Sequence, residues 1–302
     1  MQHGLVGDVG GTNARFALAG QKLGETRTWP TRALGDLTTV WTALSGSTSP
    51  PDFACVAVAA PVSGPSVRLT NADITLDVRT LGSPSARIVN DLEAAAAGIP
   101  HAPSDSFRHL VAGEPVTGRP QVIVGLGTGL GVAFVLPEGG IISGEGGHGP
   151  FAAACPELAD FAEAFAASRD RPTEWEDVLC GRGLGRTVAW FQGDRSIALG
   201  TDLARLEALA VTASQGGACN EAIDAWVGAV ADVCRGLALT VRAGAVHICG
   251  GVAGHLGEAL ERPLFTPRFR APGPVRHVLD GVPVRLITDD QLALRGCLAL
   301  AR

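Results

Sequence analysis

The chain has 302 residues, of which 46% are hydrophobic and 18% charged, a globular composition with enough apolar material for two domains. Its formal net charge of −6 argues against a broad nucleic-acid or membrane-binding surface, so we expect neither partner. Lys22 is the only lysine, and its context QKLGE excludes a P-loop and a protein-kinase fold, since both need a lysine in a defined motif.

The first hundred residues alternate strand and helix patterns. LVGDV and ARFALA flank the turn GGTN and predict a β-hairpin, and FACVAVA (53–59) predicts a buried strand. We interpret ITLDVRTL (74–81) as a short helix. RIV (87–89) predicts another strand, which runs directly through Asn90 and Asp91 into an alanine-rich helix.

The rest of the chain begins with a similar hairpin and is then mostly helical. QVIVGLGTGLGVAFVL (121–136) predicts a strand, a glycine turn and a strand, and helical patterns extend from about 157 to 243. VHICG (246–250) predicts a strand that leads into a helical stretch, GVAGHLGEALE. A last strand is predicted at 284–287, and QLALRGCLALA predicts a closing helix. This alternation predicts an α/β fold.

The same supersecondary unit occurs in each half. GDVGGTNARFAL (7–18) and GLGTGLGVAFVL (125–136) are both strands that end in a Gly/Thr turn and re-enter a strand. Because glycine has no Cβ, such turns expose backbone N–H groups that can cradle phosphate oxygens. The alternative is a pair of ordinary hairpins. The candidate nucleotide-binding residues are Gly10, Gly11, Thr12, Asn13, Gly127, Thr128 and Gly129.

We therefore expect two α/β domains that grip a ligand between them. The small domain would comprise residues 1–100, completed by the closing helix at about 290–302, and the large domain residues 101–289.

Two further features could take part in nucleotide binding. Asp8 ends the strand before the first glycine turn, where its carboxylate could hold a hydrated Mg²⁺ beside the phosphates. ICGGVAG places Gly250 and Gly251 at a strand–helix junction, where they could accept an adenosine or a phosphate closely. Each also has a purely structural interpretation, as a turn residue and as a tightly packed helix entry.

Polar side chains on glycine-rich or turn-like segments are candidates for recognition of a polyol. GEGGHG places Glu145 and His148 on a loop with almost no other side chains, and a carboxylate and an imidazole both suit sugar hydroxyls. The alternative is a flexible surface loop. Glu176 in TEWEDVLCG and the pair Thr70 and Asn71 are weaker candidates, because they also fit a solvated helix and an ordinary turn.

Asn90 and Asp91 stand where the predicted strand becomes a helix. Taken alone, this stretch is typical of a helix start. Asn90 would be the N-cap, Glu93 its capping-box partner, and Asp91 would favour the positive end of the helix dipole.

The cysteines and the N-terminus indicate the compartment. Seven cysteines are scattered without a CxxC pair or a Cys/His ligand spacing, so the sequence indicates neither a disulfide framework nor a zinc site. MQHGLVGDVGG lacks the charged and apolar regions of a signal peptide, and no apolar stretch reaches transmembrane length without interruption. We expect a protein of the bacterial cytoplasm.

Taken together, the motifs resemble one family. GDVGGTNARFAL, IVNDLEA, GLGTGLGVA, GEGGH, VLCGRGL and CGGVAG occur in the order and approximate spacing of the bacterial glucokinases, from residue 5 to the final helix. The resemblance implies the two-domain, ribonuclease H-like fold of the actin-like ATPases, with an interdomain cleft. It implies ATP with Mg²⁺ as the phosphoryl donor and glucose as the acceptor, and it allows a homodimer.

The resemblance also implies roles for individual residues. Asp91 would be the general base that takes the proton of the sugar hydroxyl, and Asn90 would be a sugar ligand. Glu145 and His148 would bind the sugar as well, and Glu176 matches the glutamate of a glutamate-x-x-leucine-x-glycine helix end. Closure of the site around the sugar would limit idle ATP hydrolysis.

Some positions depart from the family pattern. The tripeptide GPF (149–151) stands where an acidic residue is frequent, and the region 160–215 is shorter than in many relatives, so the breadth of sugar specificity stays open. The alternatives are a kinase of mannose, fructose or glucosamine, and a non-catalytic sugar sensor. The presence of both Asp8 and Asp91 argues against a sensor, which needs neither a metal ligand nor a base.

Overall fold

The structure is a computed structural model that describes residues 3–69, 73–153, 155–216 and 220–302. The candidates Thr70 and Asn71 lie outside the described residues. The chain divides into two compact units, the first formed by Met1–Ser104 with Asp289–Arg302 and the second by Asp105–Thr288.

Both units combine a sheet with helices. In chain order the strands are β1 (Gly4–Val9), β2 (Asn13–Ala19), β3 (Leu23–Pro30), β4 (Phe53–Val58), β5 (Ser66–Leu69), β6 (Ile74–Asp77), β7 (Ala86–Asn90), β8 (Phe107–Val111), β9 (Gln121–Leu126), β10 (Leu130–Val135), β11 (Ile141–Gly144), β12 (Ala245–Cys249) and β13 (Val284–Ile287). The helices are α1 (Leu37–Ser45), α2 (Asp91–Gly98), α3 (Pro156–Arg169), α4 (Trp175–Leu179), α5 (Gly181–Phe191), α6 (Arg195–Ala198), α7 (Leu203–Ser214), α8 (Asn220–Val241), α9 (Gly251–His255), α10 (Gly257–Leu260), α11 (Phe265–Phe269) and α12 (Leu292–Leu300).

The main sheet of the first unit has the strand order β3-β2-β1-β4-β7. β1 is antiparallel to β2 and parallel to β4, and β4 is parallel to β7. Leu5 and Val56 pack with residues of α1, whereas Val6 and Cys55 pack with residues of α2 and α12. Since helices cover both faces of the sheet, β4 is buried along its whole length.

Helices α2 and α12 pack with their backbones in close contact. A methyl group on Gly296 of α12 would overlap the carbonyl oxygen of Ala94 in α2. A methyl group on Gly98 of α2 would likewise overlap the carbonyl oxygen of Leu292. Glycine is therefore required at both positions by the close approach of the two helices.

The predicted helix at 74–81 is wrong in its first half. Residues 74–77 form β6, which pairs with β5 so that Ile74 lies opposite Leu69, and only Val78–Leu81 is helical, as a 3₁₀ turn. The alternation of apolar Ile74 and Leu76 with polar neighbours has the period of a strand, and pairing with β5 selects it.

The second unit is built on a sheet with the order β11-β10-β9-β12-β13-β8. The two predicted glycine hairpins, β1–β2 and β9–β10, are confirmed as antiparallel pairs. The core of this unit includes Trp226 of α8, which is fully buried and donates its indole N–H to the carbonyl oxygen of Val178 at 2.9 Å. The stretch after β12 forms two short helices, α9 and α10, where one was predicted.

None of the helices that the structure describes is both long and apolar enough to cross a lipid bilayer.

Candidate active site

The first group of candidate residues lies at one edge of the first sheet. β1, β4 and β7 are parallel, so their carboxyl ends meet there. Asp8 pairs with Ala57, and Ala57 pairs with Val89, the residue before Asn90. At a strand spacing of about 4.8 Å, the backbones of Asp8 and Val89 are about 10 Å apart. The structure thus places Asp8, the turn after β1 and the start of α2 at the same sheet edge.

Asn90 and Asp91 form the start of α2. The side-chain oxygen of Asn90 accepts hydrogen bonds from the N–H groups of Leu92 at 3.0 Å and Glu93 at 3.3 Å, so the predicted N-cap is confirmed. One carboxylate oxygen of Asp91 also accepts from Leu92 N–H, at 2.9 Å. Both side chains are partly buried, and their backbone is held by β7 and by the first turn of the helix.

Thr31, which sequence reasoning missed, braces the first glycine turn. Its hydroxyl donates to the carbonyl oxygen of Gly10 at 2.8 Å, and its N–H donates to the carbonyl oxygen of Thr12 at 2.8 Å. In the described part of the chain, the N–H groups of Gly11 and Thr12 meet no protein acceptor, and Thr12 is exposed. The turn therefore presents free N–H donors on a braced backbone, as an anion site requires. Thr31 begins a 3₁₀ turn 21 residues from Gly10, and nothing in the sequence links the two.

Asp8 is a partly buried carboxylate near the end of β1. Burial raises the pKa of its carboxyl group, and the neighbouring Arg15 acts in the opposite direction. No group of three or more potential metal ligands occurs among the described residues. Mg²⁺ is commonly held by one or two carboxylates together with phosphate oxygens and water, so a single aspartate beside a phosphate-binding turn fits a nucleotide-bound Mg²⁺.

In the second unit, Glu176 contacts the other glycine turn. Its Oε2 accepts a hydrogen bond from Leu130 N–H at 2.8 Å, and a methyl group on Gly129 would lie 2.5 Å from the same oxygen. The turn is closed by a bond from Gly127 N–H to Gly129 O at 3.0 Å. Glu176 thus packs against the turn and bonds to its backbone, which a solvated helix residue would not do.

The loop that carries Glu145 and His148 packs on the strand after that turn. Gly147 is buried, and a methyl group there would overlap the carbonyl oxygen of Leu130. At the far end of the loop, Gly149 O accepts a hydrogen bond from Trp175 N–H at 3.0 Å. The glycines therefore let the loop lie against β10 and α4, beside Glu176, while the side chains of Glu145 and His148 stay exposed.

His148 faces two carboxylates. Its Nδ1 lies 2.8 Å from Oε2 of Glu174, and its Nε2 lies 3.9 Å from Oε2 of Glu145. The hydrogen bond with Glu174 raises the pKa of His148, and the charges of Glu176 and Glu145 add to this. Glu174 was also missed, because nothing in the sequence links it to a ring 26 residues away.

Gly250 and Gly251 lie beside the second turn. Gly250 has a φ of 101°, and a methyl group there would lie 2.5 Å from the carbonyl oxygen of Leu126. Gly181 donates its N–H to Gly127 O at 2.9 Å, which adds the start of α5 to the same cluster. A groove of about 640 Å³ follows along α9 and α10, and its lining includes Asn220, Ile223, Gly254, His255, Glu258 and Arg262.

Comparison with known proteins agrees with this architecture. The family model described as Glucokinase matches residues 5–302. A glucokinase of Aromatoleum aromaticum is 32% identical, with 97% of this chain and 92% of that protein covered. The crystal structure of a glucokinase from an Antarctic psychrotroph has a TM-score of 0.82 at 26% identity and covers 100% of this chain and 99% of that one.

The fold extends to more distant sugar kinases. The structure of a ROK family glucokinase from Streptomyces griseus in complex with glucose and AMPPNP has a TM-score of 0.64 at 16% identity and covers 99% of each chain. At that identity the likeness concerns the fold alone. The predicted mixed α/β fold of the actin-like ATPase class is confirmed. On the full-length family match and the close relatives, this chain belongs to the Glucokinase family.

Proposed function

We propose that this chain transfers the γ-phosphoryl group of ATP to the C6 hydroxyl of glucose, giving glucose 6-phosphate and ADP. The observation that carries the proposal is the contact of Glu176 with the turn at 127–130, beside the packed loop of Glu145 and His148. Groups suited to sugar hydroxyls thus adjoin a turn suited to phosphate. Membership of the Glucokinase family, and the glucose and AMPPNP in the Streptomyces griseus structure, support the same reaction.

We assign the proton transfer to Asp91. As the bond between the sugar oxygen and the γ-phosphorus forms, the hydroxyl proton passes to the Asp91 carboxylate and ADP leaves with the electron pair of the broken bond. A general base of this kind contributes roughly 10²–10⁴-fold to the rate. The support is the position of Asp91 at the sheet edge, where the helix start holds its side chain.

The binding of ATP, the phosphoryl donor, is assigned to the two glycine turns and to Asp8. N–H groups of Gly11, Thr12 and Thr128 would face the phosphoryl oxygens, where preorganised donors stabilise the charge that develops during transfer. Asp8 would hold the Mg²⁺, which supplies neutralisation of phosphate charge when bound. Asn13, Gly10, Gly127 and Gly129 shape the turns.

The nucleoside is assigned to the groove along α9. Gly250 and Gly251 would allow the adenosine to approach the backbone closely, since neither carries a side chain. The groove of about 640 Å³ that follows them has room for a base and a ribose.

The sugar is assigned to Asn90, Glu145, His148 and Glu176. Carboxylates accept hydroxyl protons, and an imidazole nitrogen donates or accepts according to its protonation, so each of these side chains can position a sugar hydroxyl. Such positioning accounts for much of the catalysis of phosphoryl transfer.

The test is a coupled assay of ADP release with purified protein. ATP, Mg²⁺ and a panel of glucose, mannose, fructose and glucosamine would be supplied, with polyphosphate and ADP as alternative donors. We expect turnover that requires both Mg²⁺ and a sugar and is fastest with glucose. Faster turnover of another hexose would show that this hexose, and not glucose, is the preferred substrate. Sugar binding in calorimetry without any turnover would indicate a sugar sensor.

Thr31→Val is expected to raise the KM for ATP about tenfold, because valine keeps the volume of Thr31 but leaves the Gly10 carbonyl without its hydroxyl donor. Calorimetric glucose binding should not change. The matched control is Thr39→Val, an exposed threonine of α1 without a side-chain bond in the described residues. Equal KM values for ATP in the two variants would show that the hydrogen bond of Thr31 to Gly10 does not support nucleotide binding.

A further inference from the structure

The contact between Glu174 and His148 determines which ring nitrogen carries a proton. The distance of 2.8 Å between Nδ1 of His148 and Oε2 of Glu174 is that of a hydrogen bond. An ionised carboxylate only accepts, so Nδ1 must be the donor. The second nitrogen, Nε2, then has a lone pair in the neutral ring and a proton only in the imidazolium.

Glu174 is itself held in place. Its N–H donates to Oδ2 of Asp177 at 2.9 Å, and its backbone forms an isolated β-bridge with Pro150, two residues after His148. Arg171 lies 3.5 Å from Oε1 of Glu174 and makes a two-pronged contact with Asp177, at 2.8 Å for each nitrogen. The side chain of Glu174 is 28% exposed, against 52% for His148. The acceptor is therefore fixed by more contacts and is less exposed than the ring with which it bonds.

The other nitrogen of the ring, Nε2, lies on the side of Glu145, which we assign to the sugar. Nε2 lies 3.9 Å from Oε2 of Glu145, too far for a hydrogen bond between them. With the ring neutral, Nε2 and the Glu145 carboxylate are two neighbouring acceptors. Two such acceptors match two hydroxyl donors, as on adjacent carbons of a sugar ring.

We infer that Glu174 is a positioning residue for sugar recognition, which holds His148 as the Nδ1–H form so that Nε2 meets a sugar hydroxyl. The inference rests on the proposed function for the identity of the ligand, but the hydrogen bond itself belongs to the free protein. Carboxylates that accept the free ring N–H of a metal-binding histidine act in this way, since they fix its tautomer and its ring orientation.

Glu174→Gln tests the inference with almost no change in size. The amide N–H of glutamine can donate to Nδ1, which permits the opposite tautomer with the proton on Nε2. We expect the KM for glucose to rise about tenfold, while kcat changes less than about twofold and the KM for ATP is unchanged. Glu163→Gln, an exposed glutamate of α3, is the matched control.

The titration of His148 gives a readout that a structural role would not move. The charged groups that face the ring are Glu145 on its own loop, and Glu174 and Glu176 at α4, with Arg171 behind Glu174. Loss of the Glu174 charge lowers the pKa of His148, so the imidazolium should be lost at a lower pH in the variant than in the wild type. Side-chain ¹⁵N NMR, assigned with His148→Asn, would show both the pKa and the tautomer.

The outcomes separate the inference from the proposed function. An unchanged glucose KM together with an unchanged His148 tautomer in Glu174→Gln would overturn the inference. If the wild type does not phosphorylate glucose, the proposed function is wrong. NMR and glucose calorimetry would still decide whether Glu174 positions His148. Should Glu174→Gln melt far below the wild type, Glu174→Asp keeps the charge and is expected to retain the Nδ1–H form. Loss of that form in Glu174→Asp would also contradict the inference.

Discussion

Replacing Asp91 by Asn is expected to lower kcat by about 10²–10⁴-fold, the range that a general base contributes, while glucose still binds. Asparagine has the size of aspartate, and its carbonyl oxygen can still accept from Leu92 N–H, so α2 keeps its first turn. What the variant lacks is a group that can take up the hydroxyl proton. The loss should therefore appear in kcat rather than in the affinity for sugar.

The experiment needs two measurements on the same preparation. Turnover is followed by ADP release at saturating glucose and ATP, and glucose affinity by calorimetry. Glu25→Gln, which removes one exposed charge on β3 of the same unit, is the control and is expected to behave like the wild type. Retention of more than about a tenth of the activity by Asp91→Asn would contradict the assignment of the base.

Gly296→Ala is expected to destabilise the protein by about 3 kcal/mol, at the upper end of the usual cost of overpacking. The added methyl group would overlap the carbonyl oxygen of Ala94. A backbone oxygen inside a helix cannot rotate away, so α2 and α12 would have to separate. The same two helices cover Val6 and Cys55 on the sheet, and separation would loosen that core as well.

Gly236→Ala in α8 is the matched control. It is also a helical glycine, but it is exposed, and a methyl group there would meet no atom within 4 Å. Alanine is favoured over glycine in helices by about 1 kcal/mol, so this variant should be more stable than the wild type. The opposite sign of the two changes isolates the packing effect from helix propensity.

Thermal and urea unfolding would measure both variants. A loss of about 3 kcal/mol should lower the melting temperature of Gly296→Ala by roughly 10 °C. Because the chain has two compact units, fluorescence and circular dichroism should both be recorded to show whether the units unfold together. A melting temperature within about 2 °C of the wild type would show that the helices tolerate the methyl group.

Patterns that are local in the chain were sufficient to predict part of this protein. The period-two runs around Gly10 and Gly127 predicted two hairpins, and the pairing in both units agrees. The sequence could predict Asn90 as an N-cap, because its side chain accepts hydrogen bonds from amides only two and three residues further along the chain. The ordered motifs also predicted the family, which the full-length match confirms.

Contacts between distant residues were decided only by the tertiary structure. Thr31 braces Gly10 across 21 residues, and Glu174 reaches His148 across 26. The sequence could not predict that Gly296 packs against α2, because its neighbour Ala94 lies far away in the chain. Hydrophobic periodicity and capping act between neighbours in sequence, whereas these contacts depend on which strands and helices come together in space.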